Sequence, residues 1–154
     1  MSRIAARLQE LGLTLPPVFP PAGNYLGCTR SGNLLYVGGH GPVNGAVMIR
    51  GKVGGDLTLE QGREAARMTA LSILATMNAE LGGLDSVRRI VKVLGMVNSD
   101  PSFTQHPKVI NGFSDLMVQV FGDRGKHARS AVGMGSLPFN IPVEIDVVVE
   151  VADD

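Results

Sequence analysis

Near the end of the chain, Val143, Ile145, Val147, Val149 and Val151 are apolar at every second position, with Glu144, Asp146, Val148 and Glu150 between them. Successive side chains of a strand point to opposite faces, so this alternation predicts a strand whose odd positions face a core. The segment from Ala128 to Met134 alternates less cleanly. Taking Val132 and Met134 as its core positions puts Arg129, Ala131 and Gly133 on the face that also carries Glu144. Residues 135–142, Gly-Ser-Leu-Pro-Phe-Asn-Ile-Pro, read as the connecting loop. If that loop closes an antiparallel hairpin, Arg129 and Glu144 come within side-chain reach. Such a pair can hold a small carboxylate beside a water molecule. It can equally be a cross-strand ion pair on a solvated sheet, worth only about 0–1 kcal/mol.

Upstream the pattern changes period several times. Ile4, Leu8 and Leu11 at helical spacing predict a short amphipathic helix over 2–13, which the prolines of 16–21 end. We take residues 1–21 as this helix and a proline-rich strap, and 22–154 as one domain. Three strands are expected at Tyr25–Thr29, Leu34–His40 and Val47–Val53, joined by short turns as a meander. Thr58 and Gln61 have the spacing of a capping box, and Ala66, Ala70, Ile73, Leu74, Met77 and Leu81 form one apolar stripe ahead of Gly82. Ile90–Val97 reads as a largely buried strand. A second long helix is expected from Pro107 to Phe121, with Val109, Ile110, Phe113, Leu116, Met117 and Val120 on its apolar face.

The order is β-β-β-α-β-α-β-β. This predicts an α+β domain, a mixed six-stranded sheet with two helices on one face. The other face is then bare and carries Arg129, Glu144 and Asp146 together with Val148. A half-apolar sheet face of that size is usually covered by another subunit, so a homo-oligomer is expected, with polar groups at its junction.

Composition narrows the function. Fourteen basic residues balance fourteen acidic ones, which argues against a nucleic-acid protein held by a basic face. No apolar run approaches the roughly 20 residues of a membrane span, and the N-terminus lacks a signal-peptide core. A single cysteine, Cys28, leaves no internal disulfide and fits a cytoplasmic location. His40, His106 and His127 are scattered, so no zinc spacing is present. Phosphate-loop and dinucleotide fingerprints are absent.

Several motifs then fall in one order. Ala128-Arg129-Ser130-Ala131-Val132, Leu137-Pro138 and Val143-Glu144-Ile145-Asp146 resemble the closing pattern of the RidA/YjgF family, also called L-PSP endoribonucleases, with its spacing of fifteen from Arg to Glu. Gly23-Asn24-Tyr25 resembles the family's G-P-Y, Val37-Gly38-Gly39-His40-Gly41-Pro42 its S-G-Q-x-P strand end, and Ile110-Asn111-Gly112-Phe113 its V-N segment. The resemblance covers residues 22–151. It implies a chorismate-mutase-like subunit, a trimer around a central barrel, and sites in the clefts between subunits. It further implies cofactor-independent hydrolysis of reactive imines and enamines, such as 2-aminoacrylate, to 2-keto acids and ammonia.

On that resemblance Arg129 binds the substrate carboxylate and Glu144 orients or deprotonates the attacking water. Gly39 and Ala131 offer backbone groups. Tyr25 covers the site from the adjacent subunit, and Asn111 and His40 line it. The chain departs from the pattern at Gly38, where the family has a small hydroxyl residue, at His40 in place of glutamine, and at Gly133 in place of an acidic residue. These departures bear on substrate identity more than on fold. Two other functions compete. One is a non-catalytic module that binds a small metabolite at Arg129 and reports it to a partner. The other is a ribonuclease, poorly supported by zero net charge, two tyrosines and no tryptophan.

Overall fold

A computed structural model of the chain describes residues 2–153. Ser2 caps the first helix, α1 (Arg3–Glu10), by accepting from the Ala5 amide. The amides of Arg3 and Ile4 are taken by the Asp85 carboxylate, at 3.0 and 2.8 Å. Ile4 and Leu8 enter the same core as the rest of the chain. After the proline-rich stretch come β1 (Cys28–Ser31) and β2 (Leu34–His40), paired antiparallel across the Gly32–Asn33 turn.

The third expected strand does not join the sheet. Residues Val43–Asn44 (β3) and Val47–Met48 (β4) form a small separate hairpin, and Val53 makes only isolated bridges to Leu57 and Ser99. The main sheet therefore has five strands instead of six. Gly45, at φ 61°, turns the chain sharply between β3 and β4, and Gly51 and Gly54, at φ 128° and 86°, interrupt the extended backbone beyond β4.

The first long helix, α2 (Leu59–Leu81), starts at the capping box that Thr58 and Gln61 predict, and ends at Gly82 in the left-handed region. It is followed by β5 (Val87–Asn98), α3 (His106–Phe121), β6 (Ala128–Met134) and β7 (Val143–Val151). The sheet order is β1-β2-β7-β5-β6. Only β5 and β6 run parallel, joined by a crossover through α3. The odd positions of β7 are all buried, as the alternation requires, and pack beneath α2 and α3 with Val93, Val97, Ile73, Phe113 and Met117.

The two helices meet at glycines. A Cβ on Gly112 of α3 would run into the carbonyl oxygen of Arg63 of α2, and one on Gly62 of α2 would lie 3.4 Å from Val109 Cγ1 of α3. Among the described residues, no helix covers the far side of the sheet. Tyr36 and Val132 are exposed there, beside the half-buried Leu94, Met96 and Val148. A shallow basin of about 430 Å³ runs over this face between Leu26, Tyr36, Lys92, Leu94, Asp146 and Val148.

Candidate functional site

The hairpin expected between the Arg129 and Glu144 strands does not form. β7 lies between β2 and β5, so β5 separates it from β6. The facing of β6 is also the reverse of the expected one. Arg129, Ala131 and Gly133 pair with Val93, Gly95 and Val97, which lie on the helix-covered face. Parallel neighbours in register share a face, so Arg129 points toward α3, while Val132 is turned outward and exposed. The reason is volume. Ile110 side-chain atoms stand 2.7 Å from where a Cβ on Gly95 would be, and His106 Nε2 stands 2.5 Å from one on Gly133. Beyond Arg129, α3 sits so close to Gly95 and Gly133 that Ala131 and Gly133 take the positions beneath it, and the larger Val132 goes outside.

Arg129 is held along one stripe of α3. Its Nη1 donates to Asn111 Oδ1 at 2.8 Å and to Ser114 Oγ at 3.1 Å, and its Nη2 to the Pro107 carbonyl at 3.4 Å. Positions 107, 111 and 114 succeed one another at helical spacing, so they present one face. A guanidinium has five N–H donors. Two of them, the Nε hydrogen and one on Nη2, carry no bond among the described residues. Nε and Nη2 share an edge of the guanidinium plane at the spacing a carboxylate accepts with both oxygens. Partial burial pulls the guanidinium below its ordinary range and Asp115 opposes this, but the charge stays.

Glu144 stands on the open face, two strands away. Strand spacing of about 4.8 Å and a rise of about 3.3 Å per residue put the two Cα atoms roughly 14 Å apart, with the side chains on opposite faces. Glu144 lies against Gly39. A Cβ on that glycine would be 2.8 Å from Glu144 Oε2. The close approach is set by a bulge. Val37 pairs with Val147 and His40 with Ile145, so Gly38 and Gly39 together face the single residue Asp146. Burial raises the Glu144 carboxyl above its ordinary value of 4.5, and the Asp146 charge adds to the rise. Asp146 is itself raised by burial, against the pull of His40.

The remaining expected residues divide between these two groups. Asn111 joins Arg129 directly, and Ala131 lies one rung along on the same face of β6. Gly39 joins Glu144. His40 turns to the helix layer, where Nε2 lies 2.8 Å from Thr76 Oγ1 and Nδ1 lies 2.7 Å from the Gly38 carbonyl, and its burial lowers its pKa. Tyr25 is 59% exposed on the loop before β1, its hydroxyl accepting from the Ala22 amide at 3.0 Å. Within the chain, then, Arg129, Asn111 and Ala131 form one group, and Gly39 and Glu144 form another on the opposite face of the sheet.

Sequence reasoning misses Ser114 and His127. The signal for Ser114 is its place three residues after Asn111. The signal for His127 is its parity with Arg129. Among the described residues no three His, Cys, Asp or Glu side chains gather as a metal-binding group, and no helix is long and apolar enough to cross a membrane.

Residues 5–151 match the family model described as "YjgF/chorismate mutase-like, putative endoribonuclease". The chain is 48% identical over 151 residues to Protein TCP17 of Trypanosoma cruzi, covering 96% of this chain and 94% of that protein. The crystal structure of Atu1372 from Agrobacterium tumefaciens, a protein described as of unknown function, superposes with a TM-score of 0.88 at 47% identity, over 96% of this chain and 91% of that one. A putative endoribonuclease from Shewanella oneidensis superposes with a TM-score of 0.93 at 29% identity, over 97% and 100% of the two chains. The chain belongs to the YjgF/chorismate mutase-like family, the RidA/YjgF family that its closing motifs resemble.

Proposed function

We propose that this chain hydrolyses small imines or enamines that carry a carboxylate, at sites shared between copies of itself. The observation that supports this reading is the free Nε and Nη2 edge of Arg129, held in place by α3 and bonded to no carboxylate among the described residues. A substrate carboxylate of the 2-aminoacrylate type takes that edge bidentately.

Glu144 cannot reach the same substrate from within one subunit, because it stands on the other face. The exposed face of β6 and the bare sheet face favour a second copy bringing its own Glu144 and Gly39 to the Arg129 half. Three copies around a barrel satisfy this with one kind of contact, repeated and closed. The reaction then needs no cofactor. Water, held by Glu144, adds through its oxygen to the imine carbon. The substrate nitrogen enters already protonated, as the iminium, and the carboxylate takes the water proton, giving a carbinolamine and a protonated Glu144. Glu144 then returns that proton to the nitrogen, the C–N bond breaks as the hydroxyl oxygen forms the ketone C=O bond, and the hydroxyl proton leaves with ammonia as ammonium. A carboxyl with a raised pKa suits both transfers, since it binds the water proton more firmly than an ordinary carboxylate does and can still give it back. Fixing the carboxylate beside a held water removes the cost of bringing two bodies together, up to about 7–11 kcal/mol in the best oriented cases.

Ribonuclease chemistry fits less well. It calls for a track of cations along a backbone, whereas the site holds one guanidinium in a chain of zero net charge.

Imines generated in situ by an amino-acid oxidase test the reading. The chain is expected to speed ammonia and 2-keto acid release, and Arg129→Ala to abolish the effect. An oligomer of correct fold that speeds none of several imines overturns it in favour of a metabolite-binding module.

A further inference from the structure

The Arg129 guanidinium rests on more than α3. Ser114 Oγ, which accepts from Arg129 Nη1 at 3.1 Å, also lies 2.9 Å from His127 Nε2. On the far side of the ring, His127 Nδ1 lies 2.7 Å from the Gly125 carbonyl oxygen. A carbonyl can only accept, so the hydrogen is on Nδ1. In the neutral ring Nε2 is then a bare acceptor, and Ser114 spends its one hydrogen on it. Both lone pairs of Ser114 Oγ are thereby left for the guanidinium. The donors run in one direction, from Arg129 to Ser114 to His127 to the Gly125 carbonyl.

The end of this chain of bonds is rigid. Gly125 closes a 3-10 turn and is buried, and a Cβ there would run into the Met117 carbonyl oxygen of α3. The edge of Phe113 meets the His127 ring at 5.9 Å and 66°. Burial lowers the His127 pKa below its ordinary 6.5, and the neighbouring Arg129 charge lowers it further, against the pull of the Gly125 carbonyl. The neutral ring that the hydrogen bonds require is the form favoured at neutral pH.

We propose that His127, acting through Ser114, is a positioning residue for Arg129, fixing the guanidinium so that its Nε and Nη2 edge stays open to a carboxylate. The proposal rests on the reading of Arg129 as the carboxylate anchor, but it can be tested without turnover.

Four variants separate positioning from packing. His127→Gln keeps an acceptor where Nε2 was. His127→Asn keeps the donor to Gly125 and loses that acceptor. Ser114→Ala removes the relay, and the fourth variant combines Ser114→Ala with His127→Asn. In the ligand-free full-length chain, the nuclear magnetic resonance signals of the Arg129 Nε and Nη groups report how firmly the guanidinium is held. They are expected to be resolved in the wild type and His127→Gln, and averaged by rotation in the other three. Binding of pyruvate as the probe is expected to weaken about tenfold in Ser114→Ala and in His127→Asn, with no further loss in the double variant. Guanidinium signals equally restrained in all five proteins overturn the proposal, as do independent, multiplying losses in the double variant. Should the wild type hydrolyse no imine while the signals behave as expected, the function fails and the positioning role stands.

Discussion

Arg129 and Glu144 lie on opposite faces of the same sheet, with β5 between their strands. Their spacing of fifteen along the chain brings them no closer than roughly 14 Å between Cα atoms, given normal strand spacing and rise. Each is set up locally, the cation by Asn111 and Ser114 and the carboxylate by the space at Gly39. A protein that needs both at one substrate must use two copies of itself.

Gly39 is expected to be intolerant of a single methyl group. Its Cβ would fall 2.8 Å from Glu144 Oε2 and 3.0 Å from Glu144 Cδ. Gly39→Ala should therefore displace the carboxylate while leaving the core intact. Imine turnover is expected to fall at least tenfold, mostly in kcat, since general acid–base groups contribute about 10²–10⁴-fold. Thermal unfolding should shift little, and a calorimetric scan beside the rate measurement separates the two.

Gly112→Ala is expected to do the reverse. Its methyl would enter the Arg63 carbonyl where α2 and α3 touch. Forcing apart two packed helices costs about 1–3 kcal/mol or more, so urea unfolding should show a lowered midpoint with an unchanged slope.

The open-face carboxylates give the pH dependence its sign. Glu144 and Asp146 are raised above 4.5 and 3.8, chiefly by burial. The folded state therefore holds protons that the unfolded state releases first. Stability from this pair is full below those ordinary values and is lost as pH rises through the raised ones. His127 runs the other way. Its lowered pKa makes the folded state bind fewer protons, so its contribution is lost as pH falls from 6.5 through the lowered value. Chemical denaturation from pH 4 to 8 should show Glu144→Gln more stable than wild type at the upper end, with the gap closing on acidification. The acid limb of kcat should lie above 4.5, since Glu144 must be ionised to accept the water proton.

Much of this molecule is legible in its sequence. The capping box at Thr58 and Gln61, the stop at Gly82 and the alternation of β7 each place an element within a residue or so. These signals are local, and each residue type states its own reason. What fails is long-range. The loop 135–142 reads as a hairpin connection because nothing within it records that β7 will enter the sheet between β2 and β5. The facing of β6 misleads because its larger side chains, Val132 and Met134, point away from the helices, while glycine and alanine sit beneath α3. The site divides in the same way. Arg129, Asn111, Glu144 and Gly39 can be picked out from motifs, but their separation onto opposite faces lies in the strand order. His127 escapes a reading of the sequence because its role depends on a serine thirteen residues away on another element.

The most direct measurement is a mixing experiment. Arg129→Ala and Glu144→Gln chains, each inactive alone, are co-expressed with different tags, and the assemblies carrying both tags are isolated. If three copies share their sites in a closed ring, every mixed trimer contains one junction with both an intact Arg129 and an intact Glu144, so imine hydrolysis should return to about a third of wild type. Mixed assemblies no more active than either parent would contradict a site shared between copies.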